Sequence, residues 1–140
     1  MAQTTIMIQT SGQGLYDFTE KAADFVRNTG VDTGLLTVFL RHTSASLLVQ
    51  ENADPDVRVD IEAFFDRLAP PANDPTMSYL RHRIEGPDDM PAHIKAALTQ
   101  TSISIPITGG KMVLGTWQGL YLFEHRSHPH RREVVLHVSH

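Results

Sequence analysis

Apolar and polar positions alternate with two different periods along the chain. Thr4-Thr5-Ile6-Met7-Ile8-Gln9 mixes β-branched and apolar residues and predicts an opening strand, followed by a turn at Ser11-Gly12-Gln13-Gly14. Phe18, Ala22, Phe25 and Val26 then recur at helical spacing; Asp17 and Glu20 form a candidate capping box, and Gly30 stands where a helix would stop. Gly34 to Leu40 is a short apolar run rich in β-formers and predicts a buried strand, with Ser46 to Gln50 as its partner. Asp54-Pro55 predicts a second helix, whose residues Val57, Ile61, Phe64, Phe65 and Leu68 share a face opposite Arg58, Asp60, Glu62, Asp66 and Arg67.

Pro70 to Asp89 reads as a long irregular segment, and Pro91 to Leu98 as a short helix capped by Asp88 or Asp89, with Ile94, Ala97 and Leu98 inward. Strands are predicted at Ser102–Ile107, Val113–Phe123 and Val134–His137, the second bent or broken at Gly115 and Gly119. Gly109-Gly110 signals a hairpin between the first two. Strands that follow one another, rather than alternating with helices, indicate an α+β domain with a mostly antiparallel sheet.

The 140-residue length suits one domain spanning the whole chain, able to bury roughly two-thirds of its unfolded surface. The absence of cysteine excludes disulfides, thiolate catalysis and thiolate metal sites, so any metal must sit on imidazole, carboxylate or water. A net charge of −4 with scattered basic residues argues against a nucleic-acid partner; the cluster Arg126, His128, His130, Arg131 and Arg132 is the local exception. No basic start followed by an apolar run, and no membrane-length apolar stretch, is visible, so the expectation is a cytoplasmic protein with no membrane partner.

Three segments carry candidate chemistry. The long loop holds Tyr79, His82, Glu85, Asp88, Asp89 and His93. Capping accounts for Asp88 and Asp89, whereas His82 and His93 flank an acidic turn without capping anything; their spacing is not a zinc signature. His42-Thr43-Ser44-Ala45-Ser46 sets an imidazole and three hydroxyls at a strand connection, fit either for a phosphoryl group or for an ordinary polar turn. Glu51-Asn52 ends the strand that starts beside it. Gly115-Thr116-Trp117-Gln118-Gly119 brackets the single tryptophan with glycines, as a core residue or as an aromatic wall for a ligand. No Gly-rich phosphate loop, dinucleotide fingerprint or nucleophile elbow is present.

Read together, these segments resemble the secondary thiamine-phosphate synthase (YjbQ-type) family. The resemblance rests on His42-Thr43-Ser44-Ala45-Ser46-Leu47, on Glu51-Asn52-Ala53-Asp54-Pro55 with Val57, Arg58 and Asp60, and on Glu85-Gly86-Pro87-Asp88-Asp89-Met90-Pro91-Ala92-His93. Gly34-Leu35-Leu36, Gly115-Thr116-Trp117-Gln118-Gly119 and Glu124-His125-Arg126 extend it over nearly the whole chain. It implies about seven strands in two packed sheets, two to three helices and a homotrimer. It also implies a transferase joining hydroxymethylpyrimidine diphosphate to a thiazole phosphate with release of pyrophosphate. Under that resemblance His42, His82 and His93 are the metal ligands, for zinc or magnesium. Thr43, Ser44, Ser46, Trp117, Gln118 and Arg126 bind substrate, while Glu51, Asn52 and Asp60 orient ligands or water. Another metal-assisted enzyme acting on a small phosphorylated substrate, and a non-enzymatic ligand-binding trimer, are the alternatives.

Overall fold

The computed structural model describes residues 2–140. Its elements run β1 (Ala2–Thr10), β2 (Gly14–Asp17), α1 (Thr19–Thr29), β3 (Gly34–Leu40), β4 (Ala45–Glu51), α2 (Pro55–Leu68), a short 3-10 turn (Pro75–Met77) and α3 (Asp89–Leu98). Strands β5 (Ser102–Thr108), β6 (Lys111–Met112), β7 (Gln118–Glu124) and β8 (His130–Ser139) complete it. All strand pairs are antiparallel, in a five-stranded sheet ordered β1-β8-β3-β5-β6 and a three-stranded sheet ordered β2-β7-β4. The α+β class with two sheets and three helices therefore holds, with eight strands in place of about seven.

Both sheets and α1 share one core. Leu36, Val38 and Leu40 of β3, Val134, Leu136 and Val138 of β8, Leu47 of β4 and Leu120 and Leu122 of β7 meet Phe18, Ala22 and Val26 there. Alternation along β3 and β8 turns every second residue into that core, as the pleat requires. The expected pairing of β3 with β4 is not formed. Both edges of β3 are occupied, by β8 and β5, so β4 crosses to the other sheet and pairs with β7. The polar stretch 41–44 is thus a crossing between sheets.

All three helices differ in part from their sequence reading. Asp54 caps α2 through the Asp56 amide at 2.9 Å, as expected. Yet α2 buries no residue fully: of its apolar face Phe64 and Leu68 stand exposed and Val57, Ile61 and Phe65 are half-covered, as are Arg58, Glu62 and Asp66. In α3 the buried residues are Asp89, Pro91, Ala92, Lys95 and Ala96; Ile94 packs inward as expected, while Ala97 and Leu98 face out. The expected capping box of α1 is also absent: Asp17 accepts from the Thr19 amide and hydroxyl instead.

The long segment before α3 is held by its own small core of Ala72, Met77 and Leu80 against Met90 and Ile94. Arg83 clips it further, donating to the carbonyls of Leu80, Ala72 and Met77 at 2.9, 3.0 and 2.9 Å. Those three bonds fix the backbone on either side of His82 and so connect loop order to the chemistry below.

Candidate metal centre

Residues four apart on a helix share a face, so Asp89 at the start of α3 lies beneath His93. The clipped loop brings His82 and Glu85 back over the same turn. His82 Nε2 lies 2.8 Å and His93 Nε2 3.1 Å from one oxygen, Asp89 Oδ2. Glu85 Oε2 stands 3.4 Å from His82 Nε2. One potential ligand atom from each of the four residues falls within 4.8 Å of the others. The Asp89 side chain is only 2% exposed, whereas the His82 side chain is 43% exposed. A carboxylate is thus set at the floor of the group and an imidazole at its solvent rim.

Burial alone would make an ionised Asp89 costly. Burial does push its pKa up, but its polar contacts, His82 among them, and the charges of His93 and Arg126 outweigh that and hold the carboxyl below its usual range. Arg126 adds to this compensation and holds the surrounding groups in place. Its Nη1 reaches Asp89 Oδ1 at 2.9 Å, its Nε donates to Asp88 Oδ2 at 2.8 Å and its Nη2 donates to the Glu85 carbonyl at 3.1 Å. Asp88 also accepts from the Ser127 amide at 2.9 Å. Burial raises the Asp88 pKa, yet these bonds and the Arg126 charge bring it down to about 2. On His82, the bond to Asp89 is the main influence and raises the pKa.

The second nitrogen of His93 fixes the orientation of its ring. Nδ1 lies 2.8 Å from the Thr43 carbonyl, which can only accept, so Nδ1 carries the hydrogen and Nε2 faces Asp89.

His42 is not among the four grouped residues. Its Nε2 accepts from the Glu133 amide at 2.8 Å, which occupies the lone pair a metal would need. Burial, reinforced by Arg132, lowers its pKa and keeps it neutral at pH 7. Of His42, His82 and His93, the structure thus brings His82 and His93 together, with Glu85 and Asp89 beside them and His42 apart.

The expected substrate-binding residues scatter. Thr43 is exposed beside His93. Ser44 is buried and accepts from Arg132 Nη2 at 3.0 Å, and Ser46 is buried against His125 at 2.9 Å, so neither hydroxyl opens to a ligand in the single chain. Arg126, with a side chain only 15% exposed, spends its guanidinium on the protein. Trp117 is 64% exposed rather than packed in the core. The Asn52 amide donates to the Trp117 carbonyl at 2.9 Å, and half-buried Glu51 and exposed Gln118 lie alongside. Asp60 projects from the exposed part of α2.

The register separates these residues into two groups. Ala45 pairs with Glu124 next to the Thr43–His93–Arg126 end, and Glu51 pairs with Gln118 at the other. Six residues of strand place the ends about 20 Å apart. Within one chain, Glu51, Asn52, Trp117 and Gln118 do not join the histidine cluster.

Sequence reasoning had a sufficient local account of Asp89 as a cap and so passed over it as a ligand. The signal available was its spacing of four from His93. Asp88 occupies the cap position without making a side-chain cap bond; its partner is Arg126, from far along the chain.

Comparison with known proteins extends over the same range. The family described as UPF0047 protein YjbQ-like matches residues 4–140. A UPF0047 protein of Synechocystis is 55% identical over 137 residues, covering 98% of this chain and 90% of its own length. YjbQ of Salmonella typhimurium is 40% identical over 134 residues, covering 95% and 94%. Among solved structures, an uncharacterised YjbQ/UPF0047 protein of Clostridium acetobutylicum superposes with a TM-score of 0.86 at 36% identity, covering 97% of this chain and 99% of its own. A hypothetical protein of Aeropyrum pernix superposes at 0.88 with 28% identity, covering 99% and 98%. With residues 4–140 matched by the family and close relatives aligned over nearly its whole length, this chain belongs to the YjbQ-like UPF0047 family.

Proposed function

We propose that His82, Glu85, Asp89 and His93 form a divalent-metal site serving a transferase that acts on small phosphorylated substrates. The single observation that carries this reading is the convergence of two Nε2 atoms on one oxygen of a buried carboxylate. Two imidazoles and two carboxylates suit a zinc-like ion, whereas magnesium favours an all-oxygen octahedron. The Thr43 carbonyl on His93 Nδ1 and Arg126 on Asp89 Oδ1 are the outer contacts that orient metal ligands. When bound, such an ion supplies positive charge to a diphosphate.

The specific reaction we propose is the joining of hydroxymethylpyrimidine diphosphate to a thiazole phosphate. The bond between the pyrimidine methylene carbon and the diphosphate oxygen breaks, and pyrophosphate leaves with the electron pair. The thiazole nitrogen donates its lone pair to the same carbon. No side-chain nucleophile is needed, so the chain's contribution is positioning and charge. In this reading the hydroxyl of Thr43, an exposed residue whose carbonyl bonds His93, donates to a phosphoryl oxygen.

A homotrimer belongs to the same proposal. The exposed Phe64 and Leu68 of α2, four residues apart on one side of the helix, form an apolar patch that one chain leaves uncovered. A second copy also offers a route by which Trp117, Gln118, Glu51 and Asn52 reach a neighbour's histidine cluster.

The test is thiamine phosphate formation from the two precursors by metal-loaded protein, beside metal-stripped and His93→Ala samples. Robust turnover lost in both controls supports the reading. Feeble turnover indifferent to both means that this reaction is not the one the site performs.

A further inference from the structure

Resting on the reading of the four-residue group as a metal site, we propose that Arg126, held by Asp88, is a positioning residue that sets the site's affinity and coordination. It does so by dictating how Asp89 offers its carboxylate.

The guanidinium is a rigid planar fork, and here each of its three nitrogens has a protein acceptor. One is Oδ1 of the ligand Asp89; another is the backbone carbonyl of Glu85, a second member of the group. Arg126 therefore fixes one carboxylate by its side chain and one by its main chain, in a single rigid contact. With Oδ1 taken, Asp89 turns only Oδ2 towards the two imidazoles and acts as a one-oxygen ligand. Asp88 completes the arrangement. It binds Arg126 Nε and the Ser127 amide together, tying the fork to the end of β7 rather than leaving it to rotate. Two adjacent carboxylates at the start of α3 would otherwise repel each other, and the one guanidinium between them removes that repulsion.

A lysine at this position keeps the charge but cannot span three acceptors in fixed directions. The effect sought is therefore geometric and separable from charge.

The experiment titrates the full-length, metal-free protein with Co²⁺, whose visible absorption reports ligand geometry, and compares Arg126→Lys, Arg126→Gln and Asp88→Asn. The wild type is expected to take up one ion per chain. Both Arg126 variants weaken binding by about 10 to 100-fold and change the visible band pattern, and Asp88→Asn shifts both in the same direction by less. Thermal melts identify variants that fold. If Arg126→Gln does not, Arg126→Lys and Asp88→Asn carry the test. Wild-type protein that takes up no cobalt overturns the metal reading and this proposal with it. Tight wild-type binding with unchanged affinity and spectrum in every folded variant overturns this proposal alone.

Discussion

His125 gives a sharp stability test because it is a titratable group sealed inside the fold. Its side chain is 1% exposed, its ring lies 4.3 Å from that of Phe123, and its Nε2 is 2.9 Å from Ser46 Oγ. Nδ1 has no partner. Burial, assisted by the charges of Lys95 and Arg132, lowers its pKa from 6.5 to about 3. The unfolded chain therefore takes up a proton as pH falls through 6.5, while the folded chain takes none until near 3. The contribution to stability is complete above the unfolded pKa, falls across that window and levels off below it. At about 1.4 kcal/mol per pH unit, the loss between about pH 7.5 and about pH 5 is about 2 kcal/mol. The perturbation is the pair Ser46→Ala with His125→Phe, which removes both polar partners together. Near neutral pH the pair should cost less than about 1 kcal/mol, whereas Ser46→Ala alone, leaving Nε2 unsatisfied, should cost about 1 to 3 kcal/mol. Denaturant unfolding at a series of pH values reads both quantities. The other titrating groups are common to both proteins, so the difference isolates His125. Parallel stability curves for wild type and double variant across that range would refute the reasoning.

Two further outcomes follow from packing. A Cβ on Gly34 would overlap the Ser139 carbonyl oxygen and crowd Val31, so Gly34→Ala should lower stability by about 1 to 3 kcal/mol in a denaturation experiment. Phe64 is 62% exposed on α2, so Phe64→Asp should leave the fold of the single chain intact; if the proposed trimer uses this face, light scattering should give three chains for the wild type and one for the variant, and a trimeric variant would count against α2 as the covered face.

How far the sequence could be read depended on whether a residue's partner was local. α1, β3, the Asp54-Pro55 start of α2 and the Gly109-Gly110 hairpin follow from neighbours a few positions apart. The two glycines do take φ of 60° and 75°, a region costly to other residues. Strand β2 was hidden because Gly12 and Gly14 read as turn residues, and four residues become a strand only against β7. The placement of β4 depended on β8 and β5 filling both sides of β3, a long-range fact. The hydrophobic pattern of α2 was real, but no element of the same chain covers all of it. At the site, His82 and His93 stood out because they lacked a local explanation. Asp89 was passed over because it had one, and that His42 stands apart from the group could not be read because the Glu133 amide bonded to its Nε2 lies on the distant β8.

The most direct test of the central claim is calorimetric titration of metal-free protein with Zn²⁺ in two buffers of different ionisation enthalpy. The account predicts one ion per chain, with proton release because the bond to Asp89 raises the His82 pKa and the metal takes the neutral imidazole, and loss of binding in Asp89→Asn and His93→Ala but not in His42→Gln. Absence of binding in the wild type, or binding that survives both of the first two substitutions, would contradict it.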